Sequence, residues 1–242
     1  MITRLRSTIM SNRVHLADSL RNLCEIHSPD ERCFAHSRYD EAGLRANTLD
    51  DHYTDIAKFQ LSDTVPIDVA VLYETAKNLY LYSWHVYRFY PVAEQQVLAC
   101  LEMGLRVRFS GGLPIGYPFK KHPNLRPTLA PLLRYAIDQE LIRNEGFSRW
   151  HNIVQQRARS RAMYEQIAEM ERTNSTSAEI RLDEVVPNTQ DLSCEFVSTL
   201  DEILPGIRNS YAHGSFKLSN QVLGTFELVR EILEQIYSVE NK

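Results

Sequence analysis

Apolar residues recur every three or four positions along most of the chain after Asp63, the spacing that gathers them on one face of an α-helix. Strict alternation of apolar and polar residues, which is typical of a half-buried strand, is nearly absent; the segment 179–186 comes nearest to it. The pattern therefore predicts an all-α protein, folded as an antiparallel helical bundle. Five of the six predicted helices follow apolar stripes, at 69–87, 97–109, 129–141, 192–207 and 222–236, and the fourth runs from a cap at Ser148 to about residue 172.

Proline, glycine and polar segments separate these helices. Pro91 should end or kink the first helix, because proline lacks an amide proton and clashes with the preceding turn. Two long loops are predicted, one rich in glycine and proline at 110–127 and one polar at 173–190. Residues 1–62 carry only short apolar groups, so we predict a polar, partly helical N-terminal extension there and a helical bundle domain over 63–242.

Aromatic residues cluster near the end of the first predicted helix and have two interpretations. Such rings could stack on the bases of single-stranded RNA. Their helical spacing instead favours packing in the core, with hydroxyl groups bonded at its rim. We predict core positions for most of the cluster, which comprises Tyr80, Tyr82, Trp84, Tyr87, Phe89 and Tyr90.

Composition and charge are those of an ordinary globular protein. The 242 residues are 43% hydrophobic and 24% charged, and 27 Lys and Arg against 31 Asp and Glu give a net charge of −4. This balance argues against a protein coated with nucleic acid over its whole surface, but it allows a local basic face. The chain has no run of about 18 apolar residues, as a membrane helix needs, and no secretory signal. We therefore predict a cytoplasmic protein that does not contact a membrane.

One segment, IRNSYAHGSF at 207–216, combines residue types that suit RNA cleavage. In a helix Asn209 and His213 share a face, since they lie four residues apart, and the long side chain of Arg208 can reach them. Histidine exchanges a proton near neutral pH, and arginine binds phosphate through two parallel hydrogen bonds. The cluster could cleave RNA by internal attack of a 2′-hydroxyl, with His213 as acid or base and Arg208 stabilising the phosphorane. That route needs no metal or other cofactor.

The R-N-x-x-x-H-G segment, placed before the last helix of an all-α bundle, resembles the HEPN superfamily. The resemblance covers roughly 66–237 and depends on this motif and on the order of the helices. It implies a metal-independent endoribonuclease of a toxin–antitoxin or antiviral defence system, with Arg208 and His213 as the catalytic pair and Asn209 supporting them. It also implies a homodimer in which two motifs face one RNA cleft, and an antitoxin or regulatory protein as a further partner.

Two other interpretations of the segment stay open. Some HEPN members have lost cleavage, so the chain could be a non-catalytic module that binds a nucleotide or a protein partner through the same cleft. Alternatively, the whole chain could be a helical interaction protein in which the segment is an ordinary helix C-terminus. Gly214 would suit the left-handed position that ends such a helix.

Basic residues outside the motif are candidates for RNA binding. Arg157 and Arg161 belong to an arginine-rich stretch of the fourth predicted helix, and Lys120 and Lys121 lie in a preceding loop. We expect these four side chains to contact the RNA backbone, which would make binding sensitive to salt. The alternative is a solvated helix face, balanced by the acidic residues at 165–171.

Glu102 on the second predicted helix also has two interpretations. It lies four residues before Arg106, on the side opposite the apolar stripe, so the two could form an ordinary surface ion pair. Glu102 could instead orient Arg208 from inside the bundle, as a residue that supports the motif without touching RNA.

Four residues near the N-terminus resemble a zinc site by type alone: Cys24, His27, Cys33 and His36. The inner spacing is short for a zinc finger, and Pro29 with Asp30 indicates a turn between the pairs. We predict no metal here.

Overall fold

The computed structural model describes residues 14–110, 113, 127–177, 181–213 and 218–238. Most of these residues are helical, and the prediction of a mainly helical protein is confirmed. A two-stranded antiparallel hairpin also occurs, with β1 at Ser37–Asp40 and β2 at Gly43–Ala46. The α-helices are α1 (Leu49–Ala57), α2 (Ile67–Tyr82), α3 (Phe89–Arg108), α4 (Leu129–Asp138), α5 (Ser148–Thr173), α6 (Thr189–Leu192), α7 (Val197–Ala212) and α8 (Leu223–Ser238).

Helix α3 is the centre of the bundle. It packs against α2, α4, α7 and α8, and its buried residues include Leu98, Leu101 and Leu105. It meets α8 at Gly104, where a Cβ atom would lie 2.5 Å from Cδ2 of Leu233. The hydroxyl of Tyr237 also donates to the Gly104 carbonyl at 2.7 Å. Glycine at this position therefore lets two core helices meet closely.

Two of the differences between the helix boundaries and the predicted stripes have a clear local cause. The first predicted helix does not reach Tyr87: α2 ends at Tyr82, and Pro91 stands in the first turn of α3, where its missing N–H costs nothing. The fifth predicted helix does not begin at Leu192, which belongs to the separate turn α6. Asn188 caps the start of α6 by accepting from the amides of Gln190 and Asp191. Leu192 therefore belongs to this short helix, and α7 begins separately at Val197.

The aromatic cluster lies mostly in the core, as predicted for most of its members. Tyr80, Trp84, Tyr87 and Tyr90 are buried, whereas Tyr82 is 58% exposed.

Among the helices of the described ranges, none is long and apolar enough to cross a bilayer.

The N-terminal extension contains the hairpin, which the sequence pattern did not indicate. Strand pairing runs from Ser37 opposite Ala46 to Asp40 opposite Gly43, and Gly43 has a φ of 112°, which favours glycine. The segment 179–186, whose alternation came nearest to a strand pattern, forms no strand in its described residues 181–186. Each hairpin strand has four residues, too few for an alternation to stand out.

Hydrogen bonds attach the extension to the turn between α2 and α3. The buried Asp30 accepts from the amide of Tyr87 at 3.1 Å and from Nη2 of Arg32 at 2.8 Å, and its own amide donates to the Trp84 carbonyl. Burial raises the pKa of Asp30, but the hydrogen bonds from Arg32 and Tyr87 outweigh it and leave the pKa lowered. Asp18 completes the attachment by pairing with both Arg32 and Arg88.

Candidate functional site

The R-N-x-x-x-H residues lie at the C-terminal end of α7. Arg208 and Asn209 are in its last turns, and His213 follows Ala212 directly, donating its amide to the Asn209 carbonyl at 3.1 Å. Asn209 and His213 are exposed, and the imidazole forms no hydrogen bond with a residue that the structure describes. Gly214, predicted to end the helix, lies outside the described residues. The motif therefore presents an amide and an imidazole to the surface.

Arg208 is held by Glu102 on the neighbouring helix α3. Nε of Arg208 lies 3.3 Å from Oε2 of Glu102, while Oε1 of Glu102 accepts from Nη2 of Arg106 at 2.5 Å. The Glu102 side chain is only 7% exposed, so it does not lie opposite the apolar stripe on a solvated face. The contact with Arg106 and the contact with Arg208 occur together, because each carboxylate oxygen of Glu102 pairs with a different arginine.

The ion pair with Glu102 involves Nε of Arg208, whereas Nη1 makes only a weak contact within the chain. Nη1 of Arg208 lies 3.5 Å from Oδ1 of Asn209, at the limit of a hydrogen bond. Arg208 is 34% exposed, and Arg106 is further tied to the Pro127 carbonyl at 3.2 Å. Two guanidinium groups on one carboxylate carry a formal net charge of +1, which suits an incoming phosphate. Arg106 is a part of this cluster that the sequence analysis did not assign to the motif.

A second buried carboxylate on α3, Glu94, forms hydrogen bonds with α7 and α8. Oε2 of Glu94 accepts from the hydroxyl of Tyr211 on α7 at 2.5 Å, and Oε1 accepts from the hydroxyl of Thr225 on α8 at 2.5 Å. Burial, together with the bond to Glu94, raises the pKa of Tyr211, so its hydroxyl stays a donor. Tyr211 lies three residues after Arg208, so these bonds fix the last turn of α7 and with it the motif. Sequence reasoning missed these residues; the available signal was a pair of glutamates two turns apart on a helix with an apolar stripe.

Of the four basic residues predicted to bind RNA, Arg157 and Arg161 lie on α5, apart from the motif, and Lys120 and Lys121 are outside the described residues. Arg161 donates to Asp191 at 2.9 Å and to the Val186 carbonyl, and the hydrogen bond from Arg161 lowers the pKa of Asp191. Arg161 is thus engaged with the chain just before α7, whereas Arg208 is near the other end of that helix. Arg157 is exposed on the same part of α5. Lys120 and Lys121 lie outside the described residues.

The four residues of zinc-site type do not converge. Cys33 is buried with Sγ at 3.5 Å from the Trp84 carbonyl, and burial raises the pKa of its thiol to about 11. His36 pairs with the hydroxyl of Tyr87 at 3.1 Å, and Cys24 is exposed. Within the described ranges, no three His, Cys, Asp or Glu side chains are grouped to hold a metal ion.

Comparisons with family models, with curated proteins and with solved structures each gave no match.

Proposed function

We propose that this protein is a HEPN-like, metal-independent endoribonuclease that cuts single-stranded or loop RNA. The observation that carries the proposal is the motif end of α7: an arginine held by a buried glutamate stands beside an exposed asparagine and an exposed histidine. A structural arginine needs no such neighbours. A phosphate-binding arginine gains from being oriented in advance, because less of its conformational freedom is lost on binding.

The proposed reaction is an internal transfer at phosphorus. The 2′-hydroxyl of the RNA attacks the adjacent phosphate, a bond from phosphorus to O2′ forms, and the bond from phosphorus to O5′ breaks. One proton leaves the 2′-hydroxyl and one is delivered to the departing 5′ oxygen, so the products are a 2′,3′-cyclic phosphate and a free 5′-hydroxyl. His213 transfers one of these two protons, as acid or as base, and water exchanges the other; imidazole can act in either role near neutral pH.

The other site residues act on charge and position. Arg208 stabilises the additional negative charge of the phosphorane through its terminal nitrogens, and Asn209 holds either His213 or the phosphate. Glu102 positions Arg208 without touching RNA. Arg157, Arg161, Lys120 and Lys121 are the proposed contacts to the RNA backbone outside the cleft, with Arg157 the more accessible of the two on α5.

The biological setting is proposed from the HEPN resemblance. It comprises a cytoplasmic homodimer with one composite cleft, acting as a toxin or defence effector that an antitoxin or regulatory protein restrains. Expression of the active protein should then slow growth, and His213→Ala should relieve that effect.

The direct test compares purified wild type, His213→Ala and Arg208→Ala on total RNA and on tRNA in excess EDTA. Wild type should produce fragments that end in a cyclic phosphate, and both variants should lose most of this activity because proton transfer or charge stabilisation is gone. His27→Ala is the matched control, because His27 is also an exposed histidine but lies in the N-terminal segment.

The outcomes separate the competing functions. Equal cleavage by wild type and His213→Ala would remove the motif from the reaction. Absence of cleavage by every protein, together with nucleotide binding that Arg208→Ala abolishes, would select the non-catalytic binding module instead.

A further inference from the structure

A cavity of about 420 Å³ lies between the N-terminal segment and the bundle, and no motif residue lines it. Its volume falls within the range of small-molecule sites. The walls combine aromatic rings with a cation and with the start of a long helix. The lining residues on which recognition depends are His52, Tyr80, Trp84, Tyr90, Arg149 and Gly224.

The aromatic side of the cavity is buried, and the carboxylate of Asp55, which also lines the cavity, is paired with Arg38. The ring of His52 stacks on Tyr80 with centroids 4.2 Å apart, and the ring of Tyr90 meets Tyr80 edge-on at 5.5 Å. Burial lowers the pKa of His52, so its imidazole is neutral at pH 7 and adds a further flat surface. A planar ring is the ligand group that such a wall favours, through stacked or edge-on contacts.

One polar group on this side is the hydroxyl of Tyr80, which forms no hydrogen bond with any residue of the described ranges. The Tyr80 residue as a whole is only 3% exposed, but its hydroxyl oxygen is accessible from the cavity that it lines. A bound molecule can therefore form a hydrogen bond with it.

The opposite side carries the elements of an anion site. Nη2 of Arg149 lies where a side chain on Gly224 would stand, 1.9 Å from the position of a Cβ atom, so only glycine lets the guanidinium rest on the first turn of α8. The ion pair of Arg149 with Glu227 is long, at 3.5 Å. The first amides of a helix lack partners within it and carry partial positive charge. Arginine and a helix start together favour a phosphate or carboxylate.

From this arrangement we propose that the cavity binds a small ligand in which an aromatic ring carries an anionic group, the chemistry of a nucleoside monophosphate. The ring lies against the Tyr80 side, and the anion lies between Arg149 and the start of α8. The N-terminal segment, through His52, then forms a wall of a binding site. This inference does not depend on RNA cleavage.

The test is calorimetric titration of the full chain with adenosine 5′-monophosphate, adenosine and ribose 5-phosphate. The monophosphate should bind saturably, and each partial ligand should bind at least about tenfold more weakly, because it lacks the ring or the anion. Arg149→Gln should weaken binding by about tenfold or more, and Tyr80→Phe, which keeps the ring, by roughly threefold to tenfold. Arg172→Gln is the control, since Arg172 lies at the far end of α5 and pairs with Glu169.

Arg208→Ala distinguishes this cavity from the motif. Binding that persists in Arg208→Ala and weakens in Arg149→Gln supports the proposal, whatever the RNA cleavage assay shows. No saturable binding at millimolar concentration would overturn it, as would equal binding of adenosine and its monophosphate. Loss of binding in Arg208→Ala alone would place the nucleotide at the motif and overturn it as well.

Discussion

A single carboxylate, Glu102, distinguishes an oriented Arg208 from an ordinary surface arginine. Glu102 is nearly buried, but both of its arginine partners reach solvent, with Arg106 39% and Arg208 34% exposed. Loss of the negative charge would therefore leave two cations that water can solvate, at small cost in stability. The orientation of Arg208 would be lost all the same.

Glu102→Gln should accordingly lower the rate constant of RNA cleavage by about tenfold or more, with little change in RNA affinity or in thermal stability. Cleavage kinetics that separate kcat from KM, together with thermal unfolding, test this expectation. Glu165→Gln is the control, because it removes an exposed carboxylate from an arginine pair on α5. A large loss of stability with normal activity of the folded protein would assign Glu102 to the framework alone.

His52 should make the stability of the protein depend on pH. Burial lowers its pKa in the folded protein below the ordinary value of 6.5, with Asp55 opposing and His85 adding to the shift. As the pH falls through about 6.5, the unfolded chain binds a proton that the folded chain does not, so the free energy of unfolding falls. Urea unfolding between about pH 7.5 and 5.5 should show this slope, and His52→Gln should flatten it. The exposed His27→Gln should leave the slope unchanged; an equal slope in all three proteins would contradict the expectation.

At the scale of elements, two glycines in helices offer a matched pair. Glycine costs a helix interior about 1 kcal/mol relative to alanine. Gly104 on α3 has the fully buried Leu233 at 2.5 Å from a new Cβ, whereas nothing lies within 4 Å of one at Gly206 on α7. Gly104→Ala should therefore lower the free energy of unfolding by roughly 1–3 kcal/mol. Gly206→Ala should raise it by up to about 1 kcal/mol. Urea denaturation measures both, and stabilisation by both would mean that Leu233 moves aside easily.

One helix could be predicted from its end signals rather than from an apolar stripe. Helix α5 was predicted at 148–172 and begins and ends within a residue of that range, because Gly146 and Ser148 mark its start in the sequence, although only three of its 26 residues are buried. The hairpin could not be predicted, since strands of four residues hold two alternations at most and are held by arginines such as Arg45, which pairs with Asp51. The motif itself is contiguous and could be found by residue type. The bonds of Glu94 could not, because its partners are 117 and 131 residues away along the chain.

At the scale of the whole molecule, one buried carboxylate connects the N-terminal segment to the bundle. Asp30 is 2% exposed and bonds to both Arg32 and the Tyr87 amide, so its removal would leave those donors without an acceptor. In Asp30→Ala the amides of residues 14–47 should exchange hydrogen several-fold faster, while those of α3 and α8 keep their protection. Hydrogen exchange with mass spectrometry resolves the two regions. Glu31→Ala is the adjacent, exposed control; uniform acceleration over the whole chain would show that the segment and bundle unfold together.

Glu94 accepts from both Tyr211 and Thr225, so substitutions at these three positions should depend on one another during evolution. Replacing Tyr211 or Thr225 removes one bond and leaves the other, but replacing Glu94 leaves two hydroxyl groups on different helices without an acceptor. Mutations at the three positions should thus be accepted in a preferred order. A lineage that exchanges Glu94 for an apolar residue is expected to acquire phenylalanine at 211 and valine at 225 soon afterwards. An alignment of descendant sequences would then show correlated substitutions at residues 94, 211 and 225, on α3, α7 and α8.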